Sequence, residues 1–153
     1  GFDIVTLAVE NTSHIILDDK HQIESIIGSK LANHISYGGI KDIILSGDSD
    51  DDQLEGGYGN DQIEGGEDDD QLLGGFGDDL ILGGFGDDYL SGEEGENALY
   101  GQEGDDNLQG GENNDVLDGG SGNDTLKGQT GNNTYLFGLD YGFDVIAKTI
   151  IHM

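Results

Sequence analysis

From Leu54 onward a large apolar residue returns at every ninth position: Leu54, Ile63, Leu72, Ile81, Leu90, Leu99, Leu108, Leu117, Leu126 and Tyr135. A strand alternates its side chains between two faces, so a three-residue strand centred on each apolar residue turns that residue inward and its two neighbours outward. Such a strand is too short to stand alone and is stable only when stacked on copies of itself. The pattern therefore predicts a stack of short strands joined by tight turns, with one inward residue per strand.

The frame around these residues holds without insertion or deletion for ten units, starting at Gly47, Gly56, Gly65, Gly74, Gly83, Gly92, Gly101, Gly110, Gly119 and Gly128. Position 1 is always glycine. Position 6 reads Asp52, Asp61, Asp70, Asp79, Asp88, Asn97, Asp106, Asp115, Asp124 and Asn133. Each unit divides into a glycine turn at positions 1–6 and a strand at positions 7–9. The glycines supply positive φ and let neighbouring backbones come close. Four units, those at Gly56, Gly74, Gly83 and Gly119, fit G-G-x-G-x-D-x-U-x in full, where U is apolar. Elsewhere Asp68 and Asn113 replace the position-4 glycine, and Asp48, Glu93 and Gln102 replace position 2, which puts the local turn geometry in question.

The flanks break the pattern. In residues 1–46, FDIVTLAV alternates and reads as a strand. HIILDDKHQIESIIGSKLANHI mixes β-branched runs with a possible helix, and the pattern does not decide between them. GGIKDIILS, from Gly38, keeps the nine-residue length and an apolar eighth residue, Leu45, but has no aspartate at position 6. It reads as a degenerate opening turn that caps the first stack, since a bare sheet edge invites aggregation. The predicted division is a flank and cap over 1–46, the repeat over 47–136 and a closing segment over 137–153.

Composition changes the question from shape to cause. The net charge is −28, Asp and Glu number 33 against 5 Lys and Arg, Gly numbers 29, and Pro and Cys are absent. So acidic a chain with so few hydrophobes is expected to stay disordered unless its self-repulsion is cancelled. It offers no basic face to nucleic acid, and anionic membrane repels it. Disulfides are unavailable as staples, and cations are the remedy left. Hard divalent ions with oxygen ligands, calcium first, suit the carboxylates. Zinc or copper would want Cys or His, and His14, His21, His34 and His152 lie outside close ligand spacing. No apolar run is long enough for a membrane-spanning helix, no amino-terminal signal peptide is recognisable, and a start at Gly1 suggests a piece of a longer protein.

The repeat resembles the RTX (repeats-in-toxin), or haemolysin-type, calcium-binding nonapeptide family. The resemblance implies an all-β fold, a right-handed parallel β-roll or two-sheet solenoid with terminal capping segments. Two units make one turn of the spiral, so odd and even units stack in opposite sheets, five strands each. It also implies Ca²⁺ held between adjacent loops by Asp52, Asp61, Asp70, Asp79, Asp88, Asp106, Asp115 and Asp124. Backbone carbonyls of the glycine turns complete the sites, those of Gly56, Gly57, Gly59, Gly74, Gly75, Gly77, Gly83, Gly84, Gly86, Gly119, Gly120 and Gly122. The odd edge runs Asp52, Asp70, Asp88, Asp106, Asp124 without a break and predicts four inter-loop sites. On the even edge only Asp61 and Asp79 form a whole pair, so sites at Asn97 and Asn133 are weaker or empty.

No HExxH, GxSxG or P-loop is present, and acids that recur turn by turn do not make the singular pair that catalysis needs; the chain is read as no enzyme. One feature lies outside the repeat pattern. The outward positions of the even units include Leu80, Leu82, Ala98, Tyr100, Val116 and Leu136. An apolar outer face is usually covered or used: either the flanks pack there, or a protein partner or the rest of the parent protein does. The functional expectation is a module of a secreted, Gram-negative RTX protein. It folds on extracellular Ca²⁺ and stabilises its parent or aids its type I export. The alternatives are an adhesion module and an accessory repeat module of a secreted enzyme.

Overall fold

The computed structural model describes residues 3–6, 14–17, 23–139 and 141–147. His21, His152, the end of the first strand motif and everything after Ala147 lie outside the described residues.

The described residues form sixteen strands and no helix. In chain order they are β1 (Asp3–Thr6), β2 (His14–Leu17), β3 (Ile23–Ile27), β4 (His34–Tyr37), β5 (Ile44–Ser49), β6 (Gln53–Tyr58), β7 (Gln62–Glu67), β8 (Gln71–Phe76), β9 (Leu80–Phe85), β10 (Tyr89–Glu94), β11 (Ala98–Glu103), β12 (Asn107–Gly111), β13 (Val116–Ser121), β14 (Thr125–Gln129), β15 (Thr134–Leu136) and β16 (Val145–Ile146). They alternate strictly between two parallel sheets. Sheet I runs β1-β3-β5-β7-β9-β11-β13-β15 and sheet II runs β16-β14-β12-β10-β8-β6-β4-β2. The result is a β-solenoid of about seven turns. Odd units enter sheet II and even units sheet I, as the spacing requires.

Register carries the nine-residue period into space. Leu54 lies beside Leu72, Leu72 beside Leu90, Leu90 beside Leu108 and Leu108 beside Leu126. Ile63, Ile81, Leu99 and Leu117 do the same in sheet I. From Leu54 to Leu126 all of these are buried between the sheets, and Tyr135 packs against them partly buried.

Two expectations need correction. Strands are longer than three residues: most continue through position 3 of the next unit, so the turn proper is positions 4–6. The added residues pair with the rung above after a skip at position 1, as from Glu55↔Leu73 to Gly57↔Gly75. Stacked outer contacts result, such as Tyr58 on Phe76 with ring centroids 4.7 Å apart and planes 5° from parallel. Each sheet also has eight strands rather than five, because the flanking residues add rungs to the same stacks. The undecided amino-terminal segment contributes β2, β3 and β4 and no helix among its described residues. Ile26, Ile35, Tyr37, Ile43 and Leu45 extend the core downward. Ile43 occupies position 6 of the opening turn, and a buried aliphatic group thus replaces the carboxylate there.

The substituted turns keep the geometry of the others. Asp48, Glu93, Gln102 and Gln129 at position 2, and Asp50, Asp68 and Asn113 at position 4, all hold positive φ between 60° and 92°. Stacking imposes a left-handed conformation that these side chains resist by about 1–2 kcal/mol each.

Candidate metal centre

The turns form two edges. Backbone N–H groups at positions 5 and 6 point along the stack, where no strand partner reaches them, and the acid side chains answer them. At position 6 each N–H donates to Oδ1 of the position-6 residue eighteen later. Asp52 donates to Asp70, Asp70 to Asp88 and Asp88 to Asp106, each at 2.8 Å. Asp106 donates to Asp124 at 2.8 Å. The even edge repeats this from Asp61 to Asp79, Asp79 to Asn97, Asn97 to Asp115 and Asp115 to Asn133, at 2.8–3.0 Å. The ladder begins below the repeat, where the N–H groups of Asn33 and Ile43 donate to Asp52 and Asp61.

A second ladder runs the opposite way at position 5. Asp87 N–H donates to Asp69 Oδ1, Asp105 to Asp87 and Asn123 to Asp105, all at 2.8 Å. Asp78 N–H bonds Asn60 Oδ1, Glu96 bonds Asp78 and Asn132 bonds Asn114 on the other edge. The motif wrote position 5 as arbitrary, yet every unit carries Asp, Asn or Glu there. The signal was in the sequence, and the family pattern hid it.

One oxygen per aspartate is thereby used and the other is not. The position-6 aspartates are 1–4 % exposed. Oδ2 of Asp52, Asp61, Asp70, Asp79, Asp88, Asp106, Asp115 and Asp124 is buried with no hydrogen-bond partner. A Cβ at Gly74 would overlap Asp79 Oδ2 and stand 3.0 Å from the carbonyl oxygen of Gly92, two units on. Gly56 is likewise crowded by Asp61 Oδ2 and by the Gly74 oxygen at 2.9 Å, and Gly83 by Asp88 Oδ2 and by the Gly101 oxygen at 2.6 Å. Position 1 must be glycine because acceptors occupy the space a side chain would fill. Carbonyls at positions 2 and 4 also aim up the stack: a Cβ at Gly75 would overlap Gly57 O, and one at Gly77 would overlap Gly59 O. Buried carboxylate oxygens without a donor stand beside these carbonyls, an arrangement that costs several kcal/mol per charge unless a cation balances it.

The asparagines solve the same problem differently. Asn97 Nδ2 donates to Gly95 O at 3.3 Å, and Asn133 Nδ2 to Thr130 O at 3.1 Å. Where aspartate leaves an orphan oxygen, the amide supplies a donor.

The electrostatics follow. Burial pushes Asp70 up to about 8 and Asp79 and Asp106 to about 7; the neighbour's backbone N–H opposes the rise and adjacent carboxylates add to it. Burial likewise lifts Asp52, Asp61, Asp88 and Asp124 to about 6 and raises Asp115. Among the described residues no three His, Asp or Glu side chains gather at one point. The arrangement is instead a repeated gap of one or two carboxylates and several main-chain carbonyls, an oxygen-only donor set of the kind calcium prefers.

Parallel β-solenoid, glycine turns and rows of orphaned carboxylate oxygens define the class, a β-roll of acidic repeats. The model of the RTX calcium-binding nonapeptide repeat matches four times, at residues 46–81, 64–99, 73–108 and 100–135, which together span more than half of the chain. The chain belongs to this family, whose repeats bind calcium. No curated protein matches it.

Proposed function

We propose that this chain is a calcium-driven folding module of a secreted protein, unfolded where calcium is scarce and solid where it is plentiful. In this reading Asp52, Asp61, Asp70, Asp79, Asp88, Asp106, Asp115 and Asp124 are the metal ligands, joined by carbonyls of the glycine turns. The four gaps of the odd edge and the Asp61/Asp79 gap are the strongest sites. Gaps that include Asn97 or Asn133 bind more weakly, because an amide contributes no charge. The observation that carries the reading is the row of buried Oδ2 atoms without a donor.

Bound calcium would supply the charge that neutralises these oxygens, and the chain's own residues set where it goes. Extracellular calcium modules bind with Kd of about 10⁻⁴–10⁻³ M. At about 1 mM calcium and a Kd of about 10⁻⁴ M, each site adds about 1.4 kcal/mol. Five such sites give about 7 kcal/mol, the scale of a whole domain's stability. At micromolar calcium the gain vanishes. Export as an unfolded passenger through a type I channel, with the roll closing outside, fits this dependence; so does a role with no catalysis of its own, stabilising a toxin or secreted enzyme to which it is joined.

Far-UV circular dichroism during a calcium titration, with magnesium as control, tests it. A cooperative gain of β-signal with calcium alone is expected. A chain equally structured in chelator and in calcium would refute the switch.

A second reading, a module that holds a protein partner, rests on the outer face of sheet I. Leu80, Ala98 and Val116 form one row and Leu82 and Tyr100 the next, all half-buried. The described flanking strands lengthen the stacks, and from the closing segment Tyr141 reaches the Tyr100 end of this face. Changing Leu82 and Tyr100 to Asp abolishes capture of such a partner; capture that persists rules this face out.

A further inference from the structure

The last loop of the stack lies outside the repeat. Residues 141–147 follow β15 after a two-residue insertion, so β16 pairs with β14 at a step of twenty: Thr125↔Val145 and Leu126↔Ile146. Despite the offset, residues 141–144 reproduce positions 3–6 of a repeat turn. Gly122 N–H donates to Tyr141 O at 3.2 Å, as Gly104 does to Ser121 O. Gly142 holds φ 89°, as the position-4 glycines do. Phe143 N–H donates to Asn123 Oδ1 at 3.2 Å, continuing the position-5 ladder. Asp124 N–H donates to Asp144 Oδ1 at 3.2 Å, continuing the position-6 ladder.

The other ends of the two edges are neutral. Asn33 covers Asp52 Oδ1 with both its N–H, at 2.6 Å, and its Nδ2, at 3.1 Å. Ile43 stands at the foot of the even edge, and Asn133 closes its top with its own amide. Among the described residues only the top of the odd edge ends on carboxylate against carboxylate. There Asp124 is 1 % exposed, and its Oδ2 has no partner.

We propose that Asp124 and Asp144 bound one further calcium site, between the last repeat turn and the closing turn, and that this ion seats β16 on the roll. The inference rests on reading the position-6 rows as calcium sites, and it adds a ligand, Asp144, that the repeat does not contain. Its two carboxylates make it a full-charge site like those between Asp70 and Asp106.

The experiment uses the whole chain and calcium alone. Asp144→Asn keeps an Oδ1 acceptor for the Asp124 N–H, as Asn97 does for Asp79, and so preserves folding while removing the charge. Native mass spectrometry and titration calorimetry at saturating calcium are expected to show one ion fewer than in the unmodified chain, with circular dichroism unchanged. An unchanged count and midpoint would overturn the proposal, whereas an unmodified chain that binds no calcium would overturn the roll reading itself. A second measurement needs no loss of charge. The chain has no tryptophan, and Phe143 is 87 % exposed. Phe143→Trp is therefore expected to sensitise terbium luminescence, and the double variant with Asp144→Asn to lose most of it. Terbium bound by the roll without tryptophan-sensitised emission, or emission undiminished in the double variant, counts against a site beside Asp144.

Discussion

Aspartate and asparagine at position 6 differ by one group, and that group meets different surroundings. Aspartate Oδ2 is buried without a donor, while the Asn97 amide donates to its own loop at Gly95 O. Asp88 bounds two gaps, so Asp88→Asn should fold at saturating calcium yet bind about two ions fewer with a raised calcium midpoint. Asn97→Asp completes two gaps and should gain about two ions and destabilise the calcium-free roll. Titration calorimetry reads both; equal counts across the three chains would contradict the assignment. Turn conformation gives another test. Gln102 holds φ 85° at a position where most units have glycine. Relief of that strain exceeds the entropy glycine adds to the unfolded chain, so Gln102→Gly should stabilise the calcium-loaded protein by roughly 0.5–1 kcal/mol. Urea unfolding in calcium measures it, and a destabilised variant would show that the side chain contributes more than its backbone costs.

A rung is two loops and two strands, and its acids titrate as a row. In the metal-free roll their folded pKa values, about 6 to about 8, lie above the ordinary 3.8. Folded rungs then hold protons that the unfolded chain has released. Their contribution is fully present below about pH 4 and is lost as pH rises through 6 to 8, the reverse of a salt-bridged carboxylate. In chelator, β-signal should be greater near pH 5 than near pH 8, and calcium should bind more tightly as pH rises, because it displaces those protons. Circular dichroism and calcium titrations at the two pH values check both signs. The rung was largely legible in the sequence: glycine at position 1, aspartate at 6 and the aliphatic residue at 8 each carry a single strict requirement, and strict requirements repeat. What escaped was tolerant of substitution. Position 5 accepts Asp or Asn because one acceptor oxygen satisfies its neighbour's N–H, and Glu96 takes the side-chain amide of Asn114 instead. The flanking strands β2, β3 and β4 escaped because their rungs step by nineteen or twenty residues instead of eighteen, while their backbone still matches the sheets.

Across the molecule, one turn is eighteen residues and two units. Deleting residues 92–109 removes a whole turn and returns every later residue to its own sheet and edge. Deleting 92–100 alone sends the odd-edge aspartates to the even edge and exchanges the outer faces of all later strands. The longer deletion should keep its calcium-induced circular dichroism and its solubility, and the shorter should lose solubility despite removing less, because the outer row of every later strand no longer continues the row beneath it. The reverse order would mean that the two outer faces are interchangeable. Because both hydrogen-bond ladders step by one full turn, damage does not stay where it occurs. A lost acid strips an amide on the level beneath or above it, and the defect is inherited along that edge only. Each side of the spiral can thus fail by itself, so partial melting should run lengthwise, as a seam opens, before the column shortens from its ends.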